Sequence, residues 1–442
     1  MDVNADLETR VGIYADDLTG ALDAAAPFAA IGVSAYVSVF GVVPDGAGLK
    51  HRVLSLNVDT RHGDRFPVFD KAARAAQELR AAGFTLLVNK IDSTLRGHAG
   101  MEARAGLSPE PSDPRDIGNQ GAWSGPRLAL IAPSFPAMGR TVIGGRALVN
   151  GVPLAETEVG NDPLSPVASS EVADLIEANT GIRPSVLTLE LVRGDGRLRD
   201  VISDMLGEPP VLAVCDAETD DDLASITDVA IEARGDVILS GSAGITSALA
   251  RSLFGRIEQP GCYNHPGATN ATPALIISGS QRSVSWRQLE VASGDRAMDW
   301  LQIDPKALLS EDSSREVRDD AVARTARALE AGKHAAVSLS RVDGASSADD
   351  GDRTKLVREL GAICYRIVRR RRPGALVLIG GDTAQSALRA TGTAGIVLRD
   401  EPFPGVPAGT IDGGLLDRVR VITKAGAFGD EDVLVEVIDY LV

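Results

Sequence analysis

Residues Phe84 to His98 read FTLLVNKIDSTLRGH. The run Phe84 to Val88 is too short for a helix and rich in strand formers, and Lys90, Asp92, Ser93, Thr94, Arg96 and His98 crowd in just behind it. The pattern is that of a strand ending in a polar burst. In an open α/β sheet, ligands sit beyond the carboxyl ends of the strands, so this burst forms a cradle for a small polyhydroxy anion. Arg96 is suited to grip a carboxylate with paired hydrogen bonds, Lys90 supplies a compact positive charge, and Ser93 and Asp92 add a hydroxyl and a carboxylate. The competing reading is a solvated loop with a helix cap at Asp92 or Ser93.

The same grammar recurs on either side. Val11 to Tyr14 is a short apolar strand followed by Asp16, Asp17 and Thr19 and then a helical run from Leu22. A helix cap uses one carboxylate, so the second of the adjacent aspartates is a catalytic or ligand candidate. Strands are expected at Ala35 to Val42, Val53 to Leu56 (ending in Asn57-Val-Asp59-Thr60-Arg61), Leu128 to Ala132, Val186 to Leu189, Val211 to Val214 and Asp236 to Leu239. Helical segments such as Asp70 to Ala82 alternate with them, which is the signature of a parallel, doubly wound α/β sheet. Arg140 and Arg146 follow the Leu128 strand as further anion-binding candidates, and Ser240-Gly-Ser-Ala-Gly244 has the layout of an anion-binding helix start. Ser108 to Gly125, rich in Pro, Gly, Asp and Ser, reads as a lid or an insertion.

At 442 residues the chain is longer than one core usually grows, and its 44% hydrophobic content is ample for two. The division falls at the Pro-, Gly- and Asn-rich stretch 256–272, separating a domain at 1–255 from one at 273–442. The second domain opens with a strand at Ala274 to Ile277 running into Ser278-Gly279-Ser280-Gln281-Arg282 and a helix from Ser283. A helix near Val317 to Ala331, a strand at Ala335 to Leu339, an acidic loop at Asp343 to Asp352 and a helix at Thr354 to Arg369 follow. The knot Arg369 to Arg372 complements that helix's macrodipole. The strand Gly374 to Ile379 then meets Gly380-Gly381-Asp382-Thr383, and the strand Val419 to Thr423 meets Lys424-Ala-Gly426-Ala-Phe-Gly429. Strand, glycines and helix start together let backbone amides cradle a phosphate without a Walker lysine, and no GxxxxGK[ST] occurs. Against a tight turn with an Asp or Thr cap, three such loops in one domain favour a nucleotide.

The formal charge of −16 argues against nucleic acid or an anionic membrane as partner. Cys215, Cys262 and Cys364 are odd in number and unpaired in spacing, so neither a disulfide framework nor a zinc site is expected. An acidic, polar start and the lack of an apolar run of about 20 residues point to a cytoplasmic protein. A homodimer is the base-rate expectation.

These motifs, in this order, resemble the four-carbon acid sugar kinase family. The resemblance is carried by ADDLTGALDAA at 15–25, KIDSTLRGH at 90–98, APSFPAMGRT at 132–141, NGVPLAETEVGNDP at 150–163, GSAG at 241–244, GGDTAQSAL at 380–388, PGVPAG at 404–409 and TKAGAFGDED at 423–432. It implies a substrate domain in front and a nucleotide domain behind, the reaction in the cleft between them, and ATP with Mg²⁺ as cofactors. The acceptor is D-threonate, D-erythronate or 3-oxo-tetronate, phosphorylated at O4, with another short hydroxy acid, or a non-catalytic sugar-acid-binding protein, as the alternatives. On that reading Asp16, Asp17 or Asp92 orients the hydroxyl or coordinates magnesium, and Lys90, Ser93, Arg96 and Arg140 hold the acid. Gly279, Ser280, Arg282, Gly380, Gly381, Asp382, Thr383 and Gly426 hold the nucleotide, with the metal ligands open. Gln281-Arg282 depart from the GSCS-like loop usual there.

Overall fold

The computed structural model describes residues 9–61, 65–107, 125–158, 160, 166–194, 196–208, 210–255, 273–296, 298–341 and 350–441. The expected lid at 108–125, the linker at 256–272, the loop at 343–352, Asn161 to Pro163 and Cys262 lie outside these residues, save for Gly125 and the few residues from Asp350 on. The chain divides into two compact units, Met1–Pro260 and Gly261–Val442.

In the first unit the apolar runs form β1 (Val11–Ala15), β2 (Ala35–Ser38), β3 (Val53–Asn57), β4 (Leu86–Lys90), β5 (Leu128–Ala132), β9 (Ser185–Leu187), β10 (Val211–Cys215) and β11 (Val237–Gly241), while β6 (Arg140–Ile143), β7 (Arg146–Val149) and β8 (Val152–Pro153) stand apart. The main sheet runs β2-β3-β1-β4-β11-β5-β10-β9 with every pairing parallel. Its central strands are buried end to end, which is why they read as continuous apolar runs and not as alternating ones. Ala15 lies level with Asn57 on one side and Lys90 on the other, so the loops that follow β1, β3 and β4 emerge together at one edge. Alanines at 21, 24, 25 and 26 let the helix Leu18–Ala30 lie close on the sheet, and Ser55 Oγ donates to Ala21 O at 2.9 Å.

Two expectations change. The strand predicted for Ala35 to Val42 stops at Ser38, because Gly41 turns the chain at a φ of 68° against β3, where a Cβ would fall 2.3 Å from Asn57 O. The stretch after Leu128 to Ala132 folds into the small antiparallel sheet β6-β7-β8, in which an Asn150-Gly151 turn in the left-handed region joins β7 to β8. Buried Asp216 anchors that sheet by accepting from Gly144 N at 2.6 Å and Gly145 N at 2.8 Å.

The second unit contains β12 (Ala274–Ser278), β13 (Met298–Ile303), β14 (His334–Leu339), β15 (Ala375–Ile379), β16 (Gly395–Phe403), β17 (Val406–Asp412) and β18 (Arg420–Lys424), ordered β13-β14-β12-β15-β18-β17-β16. Pairings from β13 to β18 are parallel, and β17 is antiparallel to both its neighbours. A core of Ile276, Leu289, Val377, Ile379, Leu434 and Ile438 holds the helices Ser283–Asp295 and Val433–Leu441 to one face. The arginines at 369 and 370 close the long helix Asp350–Arg370, as its macrodipole favours. Among the described residues no helix is long and apolar enough to cross a membrane.

Candidate active site

Asp17 is the cap of the helix Leu18–Ala30, its Oδ1 accepting from Gly20 N at 2.6 Å. Asp16 is left over for another purpose. Its buried carboxylate accepts from Arg61 twice, Nε to Oδ2 at 2.7 Å and Nη2 to Oδ1 at 2.9 Å, while Arg61 Nη1 donates to Asp17 Oδ2. One guanidinium thus bridges the two aspartates. The turn that delivers it is held by the backbone: Asp59 takes a left-handed φ of 57°, and Thr60 N and Arg61 N donate to Asp16 O at 2.8 and 3.2 Å. Burial pushes the Asp16 carboxyl above the usual carboxylate range against the pull of Arg61. The two aspartates in turn hold the Arg61 guanidinium well above its ordinary value despite its own burial.

Lys90 is buried at the end of β4, where its Nζ donates to Ile91 O at 3.0 Å. A methyl group at Gly20 would lie 2.8 Å from Asp17 Oδ1, 3.3 Å from Lys90 Nζ and 3.4 Å from Asp16 Oδ1, so all three groups converge on the spot that glycine leaves open. Nearby Asp23, on the same helix, has its carboxyl pushed up by burial against the pull of Lys90.

Asp92 and Arg96 pair with each other, Nε to Oδ2 at 2.6 Å and Nη2 to Oδ1 at 3.1 Å. Thr94 Oγ1 adds a bond to Asp92 Oδ2 at 2.5 Å, and these partners hold the Asp92 carboxyl far below its usual range despite burial. The edge of the Arg96 fork expected to face a substrate is therefore on Asp92. Leu95, with a φ of 58°, aims the arginine, and Gly97 packs against Arg61, a Cβ there lying 3.4 Å from Arg61 O. Half-buried Ser93 sits in the same loop. Arg140, half-buried on β6, feels the charges of Asp92 and Arg96; its Nη1 donates to Met138 O at 3.1 Å and its buried Nε has no partner. Arg146 is exposed and pairs loosely with Glu171 and Glu156 at 3.6 and 4.0 Å.

Ser240 to Gly244 departs from the anion-site expectation. The whole segment is buried, Ser242 Oγ takes the Gly244 amide at 3.0 Å, and a Cβ at Gly244 would fall 2.5 Å from Ser134 O. Its glycine serves close packing.

In the second unit the loops after the neighbouring strands β12, β15 and β18 meet. A Cβ at Gly279 would lie 2.3 Å from Thr383 Oγ1, one at Gly380 3.9 Å from Ser280 N, and one at Gly426 2.3 Å from Ser280 Oγ. The helices Ser283–Asp295 and Gly381–Ala390 both start here with no side-chain cap, at Arg282 and at Gly380, whose φ is 100°. Their first amides keep their donors for another acceptor, unlike those of the helices that Asp17, Thr219 and Ser242 cap in the first unit. The 425–430 loop is pinned by its carbonyls. Lys424 Nζ donates to Ala425 O and Phe428 O at 2.9 and 2.8 Å, Ser285 Oγ to Gly426 O at 2.6 Å, and Gln288 Nε2 to Asp430 O at 2.7 Å. Burial lowers the Lys424 ammonium to about 8. Arg282 and Asp382 are exposed, Asp382 with Arg353 at 3.4 Å. Among the described residues no group of three or more His, Cys, Asp or Glu is placed to hold a metal ion.

Arg61 and Glu102 escaped the sequence reading. Arg61 had a signal, a cation closing a polar strand end. Glu102, in a short buried helix of mostly small residues, had none.

A family model described as a sugar-binding N-terminal domain matches residues 11–249, and one described as a nucleotide-binding C-terminal domain matches residues 275–434. A D-threonate kinase of Cupriavidus necator is 33% identical over 96% of this chain and 95% of its own length. A D-threonate kinase of Salmonella typhimurium is 29% identical over 97% of both chains. A crystal structure from Salmonella typhimurium LT2 shares the fold, with a TM-score of 0.75 at 21% identity over 97% of this chain and 98% of the other. Matches to a sugar-binding and a nucleotide-binding domain model, on two units each built on a mostly parallel sheet, define the class as a two-domain sugar kinase. The chain belongs to the four-carbon acid sugar kinase family.

Proposed function

We propose that this chain transfers the γ-phosphoryl group of ATP to a hydroxyl of a four-carbon sugar acid, with D-threonate the foremost acceptor. The observation that carries the nucleotide assignment is the meeting of Gly279, Gly380 and Gly426 beside two helix starts without side-chain caps. Such a cradle offers amide donors and a favourable dipole to phosphates. Ser280, Arg282, Gly381, Asp382 and Thr383 complete it in this proposal. Magnesium, which neutralises charge developing on the phosphates, is commonly held through them and one or two carboxylates.

On the acceptor side, Lys90 and Arg140 are assigned to the acid's carboxylate, with the rest of the Arg96 fork and Ser93 beside them. Asp16 and Asp17 orient the hydroxyl. Asp92, tied to Arg96 and Thr94, is assigned to holding that loop in shape. Similarity to two D-threonate kinases supports D-threonate over its neighbours. The test is an ADP-coupled assay with and without Mg²⁺ across D-threonate, D-erythronate, 3-oxo-tetronate and five-carbon acids. The strongest acid-dependent ADP release should come with D-threonate. A five-carbon acid as best substrate would redirect the assignment to another hydroxy acid, and binding of acid with no ADP release would make the protein a sensor.

A further inference from the structure

Behind the pair formed by Asp16 and Arg61 lies a carboxyl to which phosphoryl transfer assigns no role. Glu102 is 3% exposed, on the short helix Met101–Gly106, whose six residues are all buried. Its Oε1 accepts from Thr60 Oγ1 at 3.1 Å, and its backbone oxygen accepts from Tyr14 Oη at 3.3 Å. Thr60 and Arg61 are the dipeptide whose amides Asp16 O accepts, so Glu102 grips by its side chain the turn that Asp16 grips by its backbone. From that turn the Arg61 guanidinium reaches Asp16 and Asp17. Among the described residues no cation forms an ion pair with Glu102.

We propose that Glu102 is a positioning residue of the acceptor site, holding the turn at Thr60 and Arg61 and, through Arg61, the geometry of Asp16 and Asp17. The inference rests on the assignment of those aspartates to the acceptor hydroxyl. A buried carboxylate without a cation is costly, whereas a neutral carboxylic acid is an ordinary hydrogen-bonding group. Burial first, and the Asp16 charge second, push the Glu102 carboxyl up to about 8, so at neutral pH it holds Thr60 without adding negative charge beside Asp16. Above that pH it ionises, and its repulsion of Asp16 loosens the turn.

The charged groups around it are few. Asp16 comes from the end of β1 and raises it, Arg61 comes from the loop after β3 and lowers it, and the Tyr14 hydroxyl is itself held un-ionised by burial. On the helices packed against it, Asp70, Lys71, Arg74, Asp174 and Glu177 are exposed, and Glu78 and Arg80 are half-buried. Lys90 on β4 is bonded to Ile91 O, and Arg104 on its own helix donates to Thr180 O at 2.8 Å.

The experiment measures kcat, both KM values and the melting temperature from pH 5 to pH 10 for the wild type, Glu102→Gln and Glu102→Ala. Glu102→Ala should lower kcat at least tenfold with KM for ATP within twofold. Glu102→Gln, which keeps an acceptor for Thr60, should restore kcat to at least a third of wild type and abolish the decline in kcat above pH 8. Lys424 also titrates near 8, but in the nucleotide unit, so its limb appears in KM for ATP and persists in Glu102→Gln. A wild-type alkaline limb in the kcat of Glu102→Gln, or a folded Glu102→Ala with kcat within twofold of wild type, overturns the proposal. If Glu102→Ala does not fold, the pH profile of Glu102→Gln decides. A wild type that phosphorylates no acid overturns the kinase reading instead, and the melts still test the buried neutral acid. The folded chain keeps a proton that the unfolded chain releases above about 4.5, so the wild type should lose stability between there and pH 8, and Glu102→Gln should lack that component.

Discussion

Arg61→Met removes the guanidinium that ties Asp16 to Asp17 while nearly preserving side-chain bulk. The pair it breaks is largely buried, with side-chain exposures of 16% for Arg61 and 4% for Asp16, and three hydrogen bonds disappear with it. Deleting one partner of a buried ion pair costs about 3–5 kcal/mol because the other charge is stranded. The partial exposure of Arg61, and of Asp17 at 22%, places the loss at the lower end, about 3 kcal/mol. For a unit of this size that is a drop of roughly 6–12 °C in melting temperature at about 2–4 °C per kcal/mol. A second effect is on titration. Burial already raises the Asp16 carboxyl against the pull of Arg61, so without Arg61 it rises further and a larger share is protonated at any given pH. If the ionised carboxylate orients the acceptor, the acid limb of kcat moves to higher pH and kcat at pH 7 falls. Adding Asp16→Asn to Arg61→Met removes the stranded charge, so the double variant should melt above Arg61→Met while remaining inactive. Thermal melts and kcat profiles from pH 5 to 9 supply both readouts. An Arg61→Met protein melting within 2 °C of wild type with an unmoved acid limb would refute the reasoning, since neither the stranded charge nor the coupling would then exist.

Asp17→Asn keeps the helix cap, because asparagine caps nearly as well as aspartate, but loses its charge pairing with Arg61, so it should cost modest stability and lower kcat less than Asp16→Asn, which should lower kcat by about 10²–10⁴ in a protein that still folds. Equal kcat in Asp16→Asn and wild type would move the catalytic role elsewhere. Gly380→Ala places a side chain at a φ of 100°, a strain of about 1–3 kcal/mol, and should raise KM for ATP at least tenfold while calorimetric binding of the acid is unchanged. Normal ATP binding by that variant would remove the glycine cradle from the nucleotide assignment.

What the sequence determined by itself is local. Short apolar runs ending in polar bursts located most of the parallel strands and placed Asp16, Asp17, Lys90, Asp92 and Arg96 at strand ends, because burial on both faces demands continuous apolar residues. Glycine clusters marked the loops at 279, 380 and 426, where a Cβ at 279 or 426 would meet a neighbouring hydroxyl and Gly380 takes a φ of 100°. The hairpin of β16 and β17 was missed because bulges near Leu398 and Asp400 break the alternation that announces an antiparallel pair. The pairings inside the site were decided only by tertiary structure. Asp16 meets Arg61 across 45 residues because β3 and β4 flank β1, and the order of parallel strands depends on which way each crossover turns, a choice no local pattern records. The same order sets Glu102 behind Thr60, and the short four-residue spacing of Asp92 and Arg96 lets them bond to each other, so that Nε and Nη2 of the Arg96 fork are held within its own loop.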